Sequence, residues 1–137
     1  MAAFAIKAEV RDVRASKFAF SAQKTMYGGQ RISAGDIVYI FASGNGGGEG
    51  LIARGVVTSA EAHPKPPGVD RWTPRVSIAV DAAAPARLPL GRAELKRFTD
   101  WSDGRPETEL NFKFYRQATD KIAAISDATA DFLDGFF

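Results

Sequence analysis

Apolar and charged positions alternate near the start of the chain: Ile6, Ala8 and Val10 alternate with Lys7 and Glu9. A period of two places one set on a buried face and predicts a half-buried first strand over residues 4–10. Residues 37–43, Ile-Val-Tyr-Ile-Phe-Ala-Ser, and residues 51–57, Leu-Ile-Ala-Arg-Gly-Val-Val, are continuous β-rich runs flanking a glycine-rich stretch. They predict two core strands joined as a hairpin, entered through the Gly35-Asp36 turn. On the first of them Ile37, Tyr39 and Phe41 share one face, and Val38, Ile40 and Ala42 the other. Val76, Ile78 and Val80 mark a further strand.

Other stretches are less regular. Residues 11–17 are charged and read as a connection. In residues 17–24, Phe18 and Phe20 alternate as in a strand, whereas the alanines, Gln23 and Lys24 favour a helix; the reading is a short helix or an irregular segment. Residues 60–74 carry Pro64, Pro66, Pro67, Gly68 and Pro74, and predict an extended surface loop. Residues 90–98 fit one or two helical turns, and residues 99–110 a polar loop holding Trp101. Residues 112–117, Phe-Lys-Phe-Tyr-Arg-Gln, read as opening a strand, and 122–125 as a short apolar piece. Ser126 then fits a helix N-cap, with Asp127 in the first turn and Gly135 as the stop. Strands follow one another without long crossover helices. The fold class is therefore α+β, a mixed, mostly antiparallel sheet curled into a barrel with short flanking helices.

A length of 137 residues suits one domain spanning 1–137, large enough to bury a core unaided. The absence of cysteine excludes disulfides, thiolate metal sites and a cysteine nucleophile, and the single histidine, His63, reads as a solvated loop residue. No metal and no cofactor is expected. Charges follow the N-terminal apolar residues too soon for a secretory leader, and no run approaches a membrane span, so a soluble cytoplasmic protein with no membrane partner is expected. A net charge of +2 permits an anionic partner without demanding one.

Three features carry candidate chemistry. The glycine stretch, residues 44–50, lacks the Lys-Ser/Thr pair and following helix of a phosphate loop, so it is either a hairpin loop or a mouth a ligand approaches closely. Trp72 and Trp101 lie in long loops, as lid anchors or as stacking platforms for a base. Arg116 and Gln117 offer a phosphate fork and a base-pairing edge, or form a plain surface pair. Asp100, Asp103, Glu107 and Glu109 lack a catalytic partner and read as a solvated acidic loop.

Assembled in order, these pieces resemble the EVE domain of the PUA-like superfamily. Residues 4–9, Phe-Ala-Ile-Lys-Ala-Glu, are similar to its opening strand, which usually begins with tryptophan. Residues 35–43 are similar to its Gly-Asp strand, residues 50–57 to its return strand, and Tyr115-Arg116-Gln117 with residues 122–133 to its ending. Lys24-Thr25 and Arg31 are instead similar to the sister ASCH domain. The resemblance implies a PUA-like pseudo-β-barrel that binds nucleic acid, DNA or RNA, with a flipped or modified base in an aromatic-lined pocket. Carried over by position, that pocket draws on Phe4, Lys7, Ser43, Asn45, Arg116 and Gln117. Tyr39, Arg54, Trp72 and Trp101 complete the candidate ligand-binding set, and no catalytic residue is assigned. A non-enzymatic binding module is the first reading. The alternative is a small ASCH-like enzyme acting on RNA or a nucleoside, with Lys7, Lys24, Tyr27 or the acidic loop at work.

Overall fold

The structure is a computed structural model describing residues 2–43, 50–116 and 120–137. Six strands close a barrel: β1 (Ala3–Glu9), β2 (Lys17–Met26), β3 (Ile37–Ser43), β4 (Gly50–Ala62), β5 (Arg75–Pro85) and β6 (Lys121–Ala124). Their order around the wall is β1-β3-β4-β5-β2-β6. The β1–β3 and β2–β6 pairs are parallel and the other four antiparallel. This is the mixed, mostly antiparallel barrel expected.

The continuous apolar runs have a direct cause: their strands are covered on both faces. Phe4, Ile6, Ala8, Val38, Ile40 and Ala42 point into the barrel, where they meet Phe18, Phe20, Val57, Ile78 and Ile122. Ala5, Tyr39, Phe41, Leu51 and Ala123 point outward into a second core beneath three short helices. These are α1 (Arg92–Leu95), α2 (Pro106–Leu110) and α3 (Asp127–Asp134). The Gly35-Asp36 turn is tied down as its residues suggest. Gly35 has φ 94°, and the Asp36 carboxylate accepts from the Ser33 amide at 2.9 Å and from the Ala2 amide at 3.3 Å.

Three elements differ from the sequence reading. Residues 17–24 belong to strand β2. A helix would turn Phe18 and Phe20 roughly 200° apart; the strand sends both into the barrel, with ring centroids 6.0 Å apart. Residues 112–116 do not open a strand, because α2 runs on into a π-helical turn, Asn111–Tyr115, closed by the Arg116 amide bonding the Asn111 carbonyl at 2.7 Å. That rotation buries Phe114 against Phe41, centroids 5.8 Å apart, and turns Phe112 toward Trp101. The supposed polar loop is therefore half helix, with Pro106 in its first turn, where proline's missing amide costs nothing. At the chain end, Ser126 caps α3 through its hydroxyl, as expected, accepting from the Thr129 amide at 3.2 Å. Gly135 ends the helix with φ −68°, so the stop does not use glycine's left-handed freedom. His63 also departs from the solvated loop reading: it is half-buried, its Nε2 2.7 Å from the Ser77 hydroxyl.

Candidate nucleic-acid interface

Strand alternation turns Lys7 outward from β1, on the same face as Ala5, toward the helical layer rather than into water. It is 8% exposed. Its ammonium donates to the Phe114 carbonyl at 3.0 Å and sits 4.7 Å from the centre of the Tyr115 ring. Burial lowers the Lys7 pKa and nearby Arg92 lowers it further, with Asp120 opposing. On the neighbouring strand Ser43, paired with Glu9 of β1, donates its hydroxyl to Asp120 at 3.1 Å. The Tyr115 hydroxyl is buried and finds no hydrogen-bond partner among the described residues. Burial, with a smaller effect from Glu94, pushes that phenol up to about 12.

Arg92 and Glu94 are placed here by Gly50. The Leu51 amide bonds the Leu90 carbonyl at 2.8 Å, and a Cβ on Gly50 would stand 2.2 Å from that carbonyl oxygen. Only glycine allows the start of β4 and the α1 entry to approach so closely. Lys7, Ser43, Tyr115, Asp120, Arg92 and Glu94 thus form one end of the barrel wall, buried at Lys7 and open at the exposed Arg92, Glu94 and Asp120. The group offers ammonium and hydroxyl donors beside carboxylate acceptors.

A second cluster adjoins the first through the chain itself, since Arg116 follows Tyr115. The Arg116 guanidinium lies 5.4 Å from the Trp101 ring centre and 5.0 Å from that of Phe112. Phe112 meets Trp101 edge-on at 5.4 Å and Tyr27 at 6.0 Å. The Lys113 and Lys121 ammonium groups are 5.4 and 5.1 Å from the Tyr27 ring centre. Lys113 is also paired with Glu109 at 2.7 Å. Beside Trp101 and Phe112 lies an open hollow of about 370 Å³, bordered by Arg105 and Ser126.

The ten residues expected at the site divide accordingly. Lys7 and Ser43 meet at the barrel end, and Trp101 and Arg116 meet beside it. Asn45 and Gln117 lie outside the described residues. Phe4 does not line the mouth: its alternation sends it into the barrel interior at 2% exposure. Tyr39 and Arg54 are engaged on α3. The Tyr39 hydroxyl donates to Asp134, Arg54 pairs with the same carboxylate at 3.1 Å, and burial with that hydrogen bond raises Tyr39 to about 12. They latch the last helix to the wall. Trp72 sits in the loop before β5 with Arg75 over its ring at 5.7 Å. Lys24, invoked for the enzymatic alternative, lies in β2 opposite Arg75.

Sequence reasoning missed Tyr115, Asp120, Arg92, Lys113 and Lys121 as members of these clusters. The one usable signal was the density of aromatics and cations in residues 112–116, which a helical rather than extended reading would have divided into a buried and an exposed face.

No protein-family model matches the sequence, and no curated protein matches it. Solved structures do. Human THYN1, whose crystal structure is a complex with DNA containing 5-methylcytosine, superposes with a TM-score of 0.66 at 16% identity, covering 96% of this chain and 95% of that one. A protein from Leishmania major reaches 0.63 at 14% identity, over 98% of this chain and 93% of that one. A protein from Pseudomonas putida reaches 0.61 at 12% identity, over 98% and 99%. The DUF55 domain of human thymocyte nuclear protein 1 reaches 0.62 at 14% identity, over 94% of both. At such identities the likeness is one of architecture: the chain has a PUA-like barrel fold, shared with these structures.

Proposed function

We propose that the chain is a nucleic-acid-binding module that receives a flipped base, a modified pyrimidine above all, at the barrel end around Lys7, Ser43 and Tyr115. One observation carries the reading. A buried ammonium, a buried hydroxyl without a described partner and the Ser43–Asp120 pair converge on a fold whose human example is crystallised with 5-methylcytosine DNA. A buried hydroxyl left unpaired costs about 1–3 kcal/mol, so a ligand that pairs it recovers that energy. A pyrimidine edge presents both acceptors and a donor, matched by the Lys7, Ser43 and Tyr115 donors and the Asp120 carboxylate. Extruding a base costs a few kcal/mol, which burial and hydrogen bonds of this kind offset.

Fluorescence anisotropy against DNA and RNA oligonucleotides, single- and double-stranded, with cytosine or 5-methylcytosine, tests the reading. Binding is expected at about 50 mM salt, weakening steeply by about 200 mM. Ser43→Ala and Tyr115→Phe are each expected to weaken it about tenfold, the loss of one hydrogen bond to a desolvated base. No binding to any of these probes, or binding by both variants as tight as the parent's, overturns the proposal.

A further inference from the structure

Five large hydrophobic side chains are exposed among the described residues, and three of them, Met26, Tyr27 and Trp101, lie along one strip. Met26 is 37% exposed, Tyr27 37% and Trp101 42%. Phe112 joins Tyr27 to Trp101, with centroids 6.0 and 5.4 Å away, and Met26 sulfur lies 3.7 Å from the Lys121 ammonium beside Tyr27. Three separate parts of the chain build this strip: the end of β2, the π-helical turn and the loop before α2. An exposed aromatic row of this kind needs an occupant, and its charges select one.

Arg116 lies over both Trp101 and Phe112. Among the described residues no carboxylate pairs with its guanidinium and no acceptor takes a hydrogen bond from it. A guanidinium stacked on rings keeps its in-plane N–H groups for a second partner, and their fork suits a phosphate. At the Tyr27 end Lys113 is paired with Glu109 and Lys121 is covered, so the exposed Arg116 is the cation the strip offers. Exposed aromatic rings beside such a guanidinium match unpaired nucleotides, whose bases stack and whose phosphates are anionic. A membrane surface or an acidic peptide would use the cation and leave the aromatic faces idle.

We infer that the Met26–Tyr27–Phe112–Trp101 strip, with Arg116, is a stacking track for single-stranded nucleic acid that flanks the barrel-end site. The inference rests on the nucleic-acid reading above and extends it. Tyr115 and Arg116 are adjacent in the chain, and Lys121 stands opposite Lys7 in the β1–β6 register. The track therefore begins where the base site ends, and nucleotides beside a captured base run along it. This makes the favoured ligand a single strand or a locally opened duplex.

The test separates the two claims. Trp72→Phe leaves Trp101 as the chain's one indole. In that background, oligo(dT) is expected to quench and shift the Trp101 emission while anisotropy reports binding. Trp101→Ala and Arg116→Ala, both surface changes checked for folding by circular dichroism, are expected to weaken oligo(dT) binding by on the order of tenfold each. Both should leave the affinity for 5-methyl-2′-deoxycytidine monophosphate, the barrel-end probe, unchanged. Oligo(dT) that binds without altering Trp101 emission, or that both variants bind as the parent does, overturns the track and spares the base site. Loss of mononucleotide binding together with loss of oligo(dT) binding in the parent protein removes both. An emission response to an acidic peptide but not to oligo(dT) replaces the ligand class and also overturns the inference.

Discussion

Lys121 shows what a single buried charge does to this barrel. It is fully covered on β6, and burial, then Lys7 and Lys113, lower its pKa to about 8. The folded value thus lies below the ordinary 10.5, and the unfolded chain binds more protons between the two. Stability should therefore rise as pH climbs from about 8 toward 10. Above 10 the trend reverses, because Tyr39 and Tyr115 are held up to about 12 and their contribution is lost once the unfolded phenols ionise. Lys121→Met is expected to flatten the rise between pH 8 and 10. Urea denaturation across that range reads the effect, and a variant that keeps the parent's slope would show that another group carries it. None of this was visible in the sequence, where Lys7 and Lys121 are 114 positions apart and meet through the register of β1 and β6.

Among the elements, the helical layer depends on one carboxylate. Glu109 on α2 accepts from the Ser126 hydroxyl at 2.7 Å, from Lys113 at 2.7 Å and from the Thr129 hydroxyl, joining α2, the π-helical turn and α3. Burial alone would raise its pKa, but the hydrogen bonds from Lys113, Thr129 and Ser126 outweigh burial and hold it below the ordinary 4.5. A depressed carboxylate stabilises the fold above its unfolded pKa, and the contribution fades as pH falls through the folded value. Glu109→Gln is expected to cost about 1–3 kcal/mol at pH 7 and to make unfolding less dependent on pH below about 4.5. Thermal melts at pH 3 to 7 test it, and parallel curves for the two proteins would contradict the role. The composition of residues 100–109 suggested a solvated acidic loop, and at Asp103, which binds the Arg105 amide and the Thr108 hydroxyl near the surface, that reading comes close. It fails at Glu109 because the partners lie 17 and 20 residues away. Strand β2 failed differently: its alanines and Lys24 carry a helical propensity that the burial of Phe18 and Phe20 overrides.

In the whole molecule, closure depends on β6, a four-residue strand inserted between the first and second strands of the chain. It pairs with β1 over four positions but with β2 over only two, Thr25 with Ile122 and Met26 with Ala123. The β4–β5 ladder spans nine. Opening should therefore begin at the β2–β6 seam, since few hydrogen bonds need break there. Native-state hydrogen exchange is expected to show the Ile122 and Ala123 amides exchanging through a lower-energy opening than Val56 and Val57. Equal protection across both would mean that the barrel opens only as a unit. The seam also borders the proposed stacking track, so the surface offered to a ligand lies against the least tied part of the wall.

The amino-acid order alone was enough for the strand pair of residues 37–43 and 51–57, its Gly-Asp entry, the barrel class and the Ser126 cap. Each of these follows from local periodicity or from a residue's own conformational preference, which are written within a few neighbouring positions. The order left the first strand half-buried, whereas the helical layer covers its second face and buries Lys7. The tertiary structure alone decided which aromatics are core and which are surface. It turned Phe4 inward, engaged Tyr39 and Arg54 on α3, converted residues 111–115 from strand to helix, and gathered Trp101, Phe112, Tyr27 and Arg116 on one face. Those outcomes depend on non-local register and on competition for buried space. A phenylalanine or an arginine carries the same identity in either place, and only its neighbours across the fold determine what it touches.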